Sequence, residues 1–155
     1  MRRKDREITD KDIIEAFIAK EQIVRIGFYE KDDIYIVPVN YGYSLNDDKY
    51  SFYFHGAKAG RKYELAKREP LVGFEIDGNY QLLEAEVACD FSAKFQSVIG
   101  TGILYLVDDE EEKKKGLNTI MRQTTQNADW NYSEEMLKAV AVFRLDVKKM
   151  SCKAK

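Results

Sequence analysis

The sequence predicts a mainly β protein: a closed or split antiparallel β-barrel with a few short helices. Three observations carry this prediction. Runs rich in Val, Ile, Tyr and Phe recur between polar clusters, as strands do. The first connections between them, Glu30-Lys31-Asp32-Asp33 and residues 44–49, are short, which makes neighbouring strands antiparallel. Six or seven such strands would leave exposed edges unless the sheet closed on itself, and closure means a barrel.

Each element has its own signal. Thr9 reads as an N-cap ahead of an acidic first turn, and Ile13, Ile14, Phe17 and Ile18 follow at helical spacing to about Lys20. Strands are expected over 23–29, 34–41 and 50–55. A helix over 61–68 is stopped by Glu69-Pro70, because proline disfavours helical geometry in the residue before it. Segments 71–76 and 81–91 are expected to pair across a turn at Asp77-Gly78-Asn79-Tyr80. Strand 95–107 follows, with Gly100 and Gly102 marking a bend or a close backbone approach. Asp108-Asp109-Glu110-Glu111-Glu112 opens a helix that closes on Lys113-Lys114-Lys115, which suits the macrodipole at both ends. That charge block reads as a solvated helix face. Residues 123–132 are expected to form the longest loop, before a short helix over 133–138 and a last strand over 139–147.

Composition narrows the function classes. The 155 residues, read as one domain (1–155), suffice for a full core. With 45% hydrophobic and 34% charged residues the chain is globular and not disordered. A net charge of −2 argues against a nucleic-acid partner, whose binding domains are usually basic. The opening Arg2-Arg3-Lys4-Asp5-Arg6 leads into no apolar stretch, so it is no secretory signal, and no run is suited to crossing a membrane. One histidine and two distant cysteines make no zinc pattern, so no metal is expected. Cys89 reads as a small core residue and Cys152 as an exposed tail thiol. The expected location is the reducing cytoplasm.

The chemistry concentrates in Phe54-His55-Gly56-Ala57-Lys58-Ala59-Gly60-Arg61-Lys62, where a strand gives way to a helix through small residues. Free backbone N–H groups at such a helix start favour an anion. Arg61 and Lys62 are mildly misplaced there unless an anion lies between them, and Lys58 is a lesser candidate. His55 is the only side chain whose unperturbed pKa lies near neutrality, and a hydrogen-bonded structural histidine is the plain alternative. The segment is neither a Walker loop nor a dinucleotide fingerprint. Val37-Pro38-Val39-Asn40 places a proline inside a strand, which points to an edge or to interrupted pairing.

Several segments, taken in order, carry a family resemblance. They are Met1-Arg2-Arg3-Lys4-Asp5-Arg6-Glu7-Ile8, Val37-Pro38-Val39-Asn40-Tyr41, and Tyr53-Phe54-His55-Gly56-Ala57 with Gly60-Arg61-Lys62. Pro70-Leu71-Val72-Gly73-Phe74, Ser97-Val98-Ile99-Gly100-Thr101-Gly102 and residues 142–153 complete the set. Together they resemble the FMN-binding split-barrel family of pyridoxamine 5′-phosphate oxidase-like proteins, in its 5-nitroimidazole-resistance-protein-like branch. One departure is the Glu30-Lys31-Asp32-Asp33 turn, where many members have Gly-x-Pro.

The resemblance implies FMN as cofactor, with Arg61 and Lys62 on its phosphate and Lys58 beside them. It sets Val37, Pro38, Val39 and Asn40 against the flavin ring. Ser97, Val98 and Ile99 would reach the isoalloxazine from the same subunit or across a dimer. His55 would touch the flavin or its substrate and is the one weak catalytic candidate. Trp130 would cap the pocket or anchor its loop, and Tyr41 and Tyr43 would line the substrate side. The implied protein is a homodimer with flavin at the interface, an FMN-dependent oxidoreductase acting on a small molecule, with a nitroaromatic as one candidate. Alternatives left open are a non-catalytic flavin binder or sensor, and a related barrel holding deazaflavin, or haem through His55. A β-barrel nucleic-acid module is disfavoured by the acidic balance.

Overall fold

The computed structural model describes residues 3–127 and 129–155. Met1 and Arg2, which open the first resembling segment, and Ala128, inside the loop expected over 123–132, lie outside the described residues. The elements are β1 (Glu7–Ile8), α1 (Lys11–Lys20), β2 (Ile23–Glu30), β3 (Asp33–Asn40), β4 (Gly42–Asn46) and β5 (Lys49–Ala57), then α2 (Arg61–Ala66) and β6 (Leu71–Leu83). β7 (Ser92–Val107), α3 (Glu110–Thr125), α4 (Glu134–Ala139) and β8 (Val140–Ala154) complete the chain.

All strand pairs are antiparallel, and the eight-stranded sheet runs β3-β2-β6-β7-β8-β5-β4, with β1 added to β8. Its two ends, β3 and β4, are consecutive in the chain and share no ladder, so the sheet curls into a barrel split along that seam, as predicted. Two tight hairpins set the register. Lys31 and Asp32 (φ 49° and 65°) turn β2 into β3, and Asp47 and Asp48 (φ 49° and 62°) turn β4 into β5. Two consecutive left-handed residues match the twist of the flanking strands.

Alternation fills the barrel. Val24, Ile26 and Phe28 point inward from β2, and meet Phe52, Phe54, Phe74, Phe143 and Leu145 from the other strands. Phe54 and Phe143 stack at 4.9 Å. α1 adds Phe17 and Ile18 to this core, and α2 adds Leu65 and Ala66. A smaller cluster of Tyr53, Val107, Ile120 and Val142 seats α3 on the outside of β5 and β8.

Several expectations are corrected, each for a local reason. The N-cap of α1 is Asp10 and not Thr9, because the Asp10 carboxylate accepts from the Asp12 and Ile13 amides. Residues 44–46 extend a strand where a turn was expected, and the turn shrinks to Asp47-Asp48. The sequence Asp77-Gly78-Asn79-Tyr80 does not end a strand. It forms a register shift within the 13-residue β6, with Asn79 at φ 55° and Gly78 lying against the Glu21 carboxylate. α3 runs 16 residues, twice the expected block, because Gly116 does not stop it. A Cβ there would lie 2.8 Å from Tyr53 Cδ1, so this glycine permits close packing of helix on sheet. The loop expected from 123 therefore starts later. β8 continues through Ala154, which buries Cys152 at 2% exposure, whereas Cys89 is exposed.

The charge block is a solvated face except at Glu112. That carboxylate accepts from Arg144 Nη1 and from Tyr53 Oη (3.4 Å). Arg144 Nε also lies 3.0 Å from Asp146 Oδ1, an ion pair too poorly aligned to count as a hydrogen bond.

The outer face of β3, β2, β6 and β7 is apolar and uncovered. Ile34 and Ile36 are 68% and 62% exposed, and Tyr29, Leu71 and Ile99 flank them. Gly27 and Gly73 are ladder partners in the same face, and a Cβ on either would approach no atom closer than 3.9 Å. A strip of bare backbone thus runs between the exposed apolar side chains. Among the described residues no helix is long and apolar enough to cross a membrane.

Candidate functional site

The site grows from the end of β5. His55, Gly56 and Ala57 pair with Val142, Ala141 and Val140 of β8, after which the chain leaves the sheet through Lys58, Ala59 and Gly60. Gly60 has φ +92°, a conformation that favours glycine. α2 follows, and its first internal bond is Glu64 N to Gly60 O at 3.1 Å. The amides of Arg61, Lys62 and Tyr63 therefore have no acceptor within the helix, and no side chain caps them. With six residues α2 contributes little macrodipole, so the charge at this end must come from side chains.

Lys62 supplies it. Its Nζ lies 5.0 Å from the Phe143 ring centroid and 5.4 Å from that of Phe54. It would stand 3.1 Å from a Cβ at Gly56, so the glycine leaves it room. Among the described residues no carboxylate pairs with Lys62 and no acceptor bonds it. Burial pushes its pKa below the ordinary lysine value. His55, on the outer side of β5, also has a lowered pKa, first because the surrounding protein desolvates it and second because the Lys62 ammonium repels a second positive charge. Near neutrality the site holds one cation and one neutral imidazole.

Arg61 turns the other way. It donates to Asp33 Oδ2 at 2.6 Å, lies 3.7 Å from Glu30 Oε2 and covers the Tyr35 ring at 4.9 Å. The acidic hairpin that replaces Gly-x-Pro is what holds it. Lys58 is exposed, with no side-chain partner among the described residues.

The remaining predicted residues gather elsewhere. Pro38 pairs with Arg25, Arg25 with Glu75, and Glu75 with Ile99, so β3 and β7 contribute to one row across the outer face. Pro38 sits on a strand with a single ladder neighbour, where its missing N–H costs nothing. Val37 and Val39 turn toward the core, and Asn40 donates to Gln22 O at 3.2 Å. Ser97 is 9% exposed, Ile99 faces outward, and Val98 is a fully buried core residue. Trp130 is exposed and donates from Nε1 to Asn127 O at 3.0 Å, anchoring its own loop. Tyr41 is buried and donates to Ile18 O at 2.6 Å, and Tyr43 donates to Glu15 Oε1 at 2.9 Å.

Two groups result. His55 is level with Val142 of β8, whereas Ile99 is level with Ser151. Along the strand that is about 30 Å at ~3.3 Å per residue. One chain thus holds the cationic group at one end of β8 and the Pro38–Ile99 row near the other. Between Pro38 and Ile99 lies a trio that sequence reading missed: Arg25 bonds Glu75 at 3.0 Å and also Asp77, and burial with Asp77 nearby pushes the Glu75 carboxyl up. Its members come from β2 and β6, so no spacing in the sequence joins them.

The donor set suits a phosphate ester. It offers one half-buried ammonium without a counter-ion among the described residues and three amides free of helix acceptors, in a turn of small residues (Gly56, Ala57, Ala59, Gly60).

Comparison with known proteins gives a consistent result. Residues 10–154 match the family model for pyridoxamine 5′-phosphate oxidase. A structure provisionally described as a 5-nitroimidazole antibiotic resistance protein from Bacteroides thetaiotaomicron is 29% identical, with TM-score 0.81 over 96% of this chain and 86% of that one. The flavocytochrome Anf3 of Azotobacter vinelandii shares 20% identity and a TM-score of 0.80 over 100% and 72% of the two chains. An FAD and haem binding protein of Mycobacterium smegmatis shares 12% identity and a TM-score of 0.84 over 97% and 73%. The last two likenesses speak for the fold alone. No curated protein sequence matches. With a split antiparallel barrel and a family match along nearly its whole length, the chain belongs to the pyridoxamine 5′-phosphate oxidase family.

Proposed function

We propose that the chain binds FMN and acts as a cytoplasmic, homodimeric flavin oxidoreductase on a small molecule. The observation that carries this reading is the Lys62 ammonium: half-buried, unpaired among the described residues, and beside three free amides. A buried cation without a counter-ion is costly, and an anionic ligand removes that cost. Here the FMN phosphate fills the role, with Lys62 as its charge partner and the Arg61, Lys62 and Tyr63 amides as donors.

Bound flavin supplies reversible two-electron chemistry. The protein's residues hold it and shape its surroundings. His55 stays neutral near pH 7 and offers one donor and one acceptor beside the phosphate turn. The outer row of β3 and β7 presents Pro38 and Ile99 as apolar contacts, with Arg25 and Glu75 between them. In this reading a second copy of the chain brings its row to the first copy's phosphate end and completes the flavin site. The exposed Ile34, Ile36, Tyr29 and Leu71 supply the apolar surface for that contact. A nitroaromatic is a candidate substrate through the likeness to the resistance protein. Two free cysteines, one of them exposed, suit a reducing compartment.

The test is FMN titration of the flavin-free protein beside a Lys62→Ala variant. Saturable binding that weakens in the variant supports the reading. Binding that is absent, or indifferent to Lys62, contradicts it, and a Soret band on adding haem in place of a flavin spectrum would point to the haem alternative.

A further inference from the structure

A second concavity, far from His55 and Lys62, has no assigned role. It is a cleft of about 990 Å³ between α1, β4 and α3. Ser44 and Asn46 line it from β4, and Lys115, Asn118 and Arg122 line it from α3. Ser44 and Asn46 pair with Ser51 and Lys49, which places the cleft toward the opposite end of β5 from His55.

Its walls are fixed by bonds that leave the lining free. Gln123 Nε2 donates to Ile18 O at 2.9 Å and to Glu21 O at 2.7 Å, tying α3 to the end of α1. Gly42 lies so close to the Thr119 carbonyl that no side chain fits between β4 and α3 there. Tyr43 occupies Glu15, and Lys20 reaches Asn79. By contrast Arg122 and Lys115 have no ion pair or side-chain hydrogen bond among the described residues. Of the other described arginines, Arg3, Arg25, Arg61, Arg68 and Arg144 are paired with carboxylates, and Arg6 is not. Asn118 accepts from Tyr132 Oη at 3.1 Å through Oδ1, which leaves its amide N–H groups unused. The lining carries Lys20, Lys115 and Arg122 against Glu15 and Asp129, an excess of positive charge.

We infer that this cleft is a preformed binding site for a small polar carboxylate. The guanidinium of Arg122 offers the two parallel donors that a carboxylate accepts. Lys115 adds charge, and Ser44, Asn46 and the Asn118 amide supply hydrogen bonds for hydroxyl or amino groups on the rest of the molecule. The charged and amide groups of the lining favour a polar ligand.

The inference stands apart from the flavin reading and is tested separately. Malate is titrated into the protein while backbone amide shifts are followed by NMR, with chloride at matched ionic strength as control. Shifts clustered on residues 43–46 and 115–123 are expected, and Arg122→Ala should weaken binding roughly tenfold or more, with Arg122→Lys in between. The same titration is repeated in saturating FMN. The inference is overturned if no shifts appear in the cleft, if Arg122→Ala leaves them unchanged, or if inorganic phosphate binds there as well as malate. Displacement of malate by FMN would also overturn it, since the cleft would then be part of a flavin site.

Discussion

The ammonium of Lys62 stands 5.0 Å from the ring centroid of Phe143, over an aromatic stack and without a carboxylate partner among the described residues. The aromatic faces offset some of the desolvation, and the rest is left for an anion. Lys62→Met should therefore have opposite effects in the two states. It removes a buried charge from the flavin-free protein, whose melting temperature should hold or rise. It also removes a charge-assisted contact worth about 1.5–3 kcal/mol, so FMN should bind roughly 10- to 100-fold more weakly. Arg61→Ala should matter less to FMN, because Asp33 already holds that guanidinium. Thermal melts and fluorescence titrations of the two variants check this.

His55 gives a clean pH signature, since it is the chain's only histidine. Its folded pKa lies below the unfolded value of about 6.5. Between the two values the unfolded chain binds more protons than the folded one, so stability rises with pH. The stability is present in full above the unfolded value and is lost as pH falls through the folded one. His55→Gln should flatten that slope in denaturant midpoints measured across the range. FMN should move the His55 NMR titration upward, because the phosphate screens it from Lys62.

The outer β3–β2–β6–β7 face predicts a dimer. Ile36→Glu places a charge beside the bare Gly27–Gly73 strip, on a side chain already 62% exposed, so the chain should still fold. Sedimentation should show a monomer with weakened FMN binding and little change in stability. A variant that remains a dimer would remove this face from the account.

Glu112 is set apart from its acidic neighbours. Glu112→Ala strips Arg144 of one carboxylate and should cost roughly 1–3 kcal/mol, whereas Glu111→Ala should stay within about 0.5 kcal/mol. Urea denaturation of the pair reads the difference. Gly42→Ala, which drives a Cβ into the Thr119 carbonyl, should cost about 1–3 kcal/mol by overpacking.

Much of the fold was legible from local pattern, because each barrel strand alternates and each hairpin is short. The N-cap at Asp10 and the Asp47-Asp48 turn were missed locally, whereas the failures at glycines share another cause. Gly78 and Gly116 look like punctuation, yet each lies inside an element and against another part of the chain, the Glu21 carboxylate in one case and the Tyr53 ring in the other. Such contacts are tertiary and leave no local trace. The same holds for the cysteines: Cys152 is buried because β8 runs on between β1 and β7, a pairing that the Lys-rich tail conceals. At the site, the small-residue turn ahead of α2 was visible as a motif. That Arg61 would turn to Asp33 and leave Lys62 alone depends on the β2–β3 hairpin lying beside α2. The Arg25–Glu75–Asp77 trio, drawn from two strands, had no signal at all.

The central claim is that Lys62 and the turn before it hold a flavin phosphate. The most direct measurement compares FMN with riboflavin, which lacks the phosphate, on the unaltered protein and on Lys62→Met. FMN should bind far more tightly than riboflavin to the unaltered protein, and the variant should lose this preference while its riboflavin affinity holds. Equal affinities for the two flavins in the unaltered protein, or a preference that survives the loss of Lys62, would contradict it.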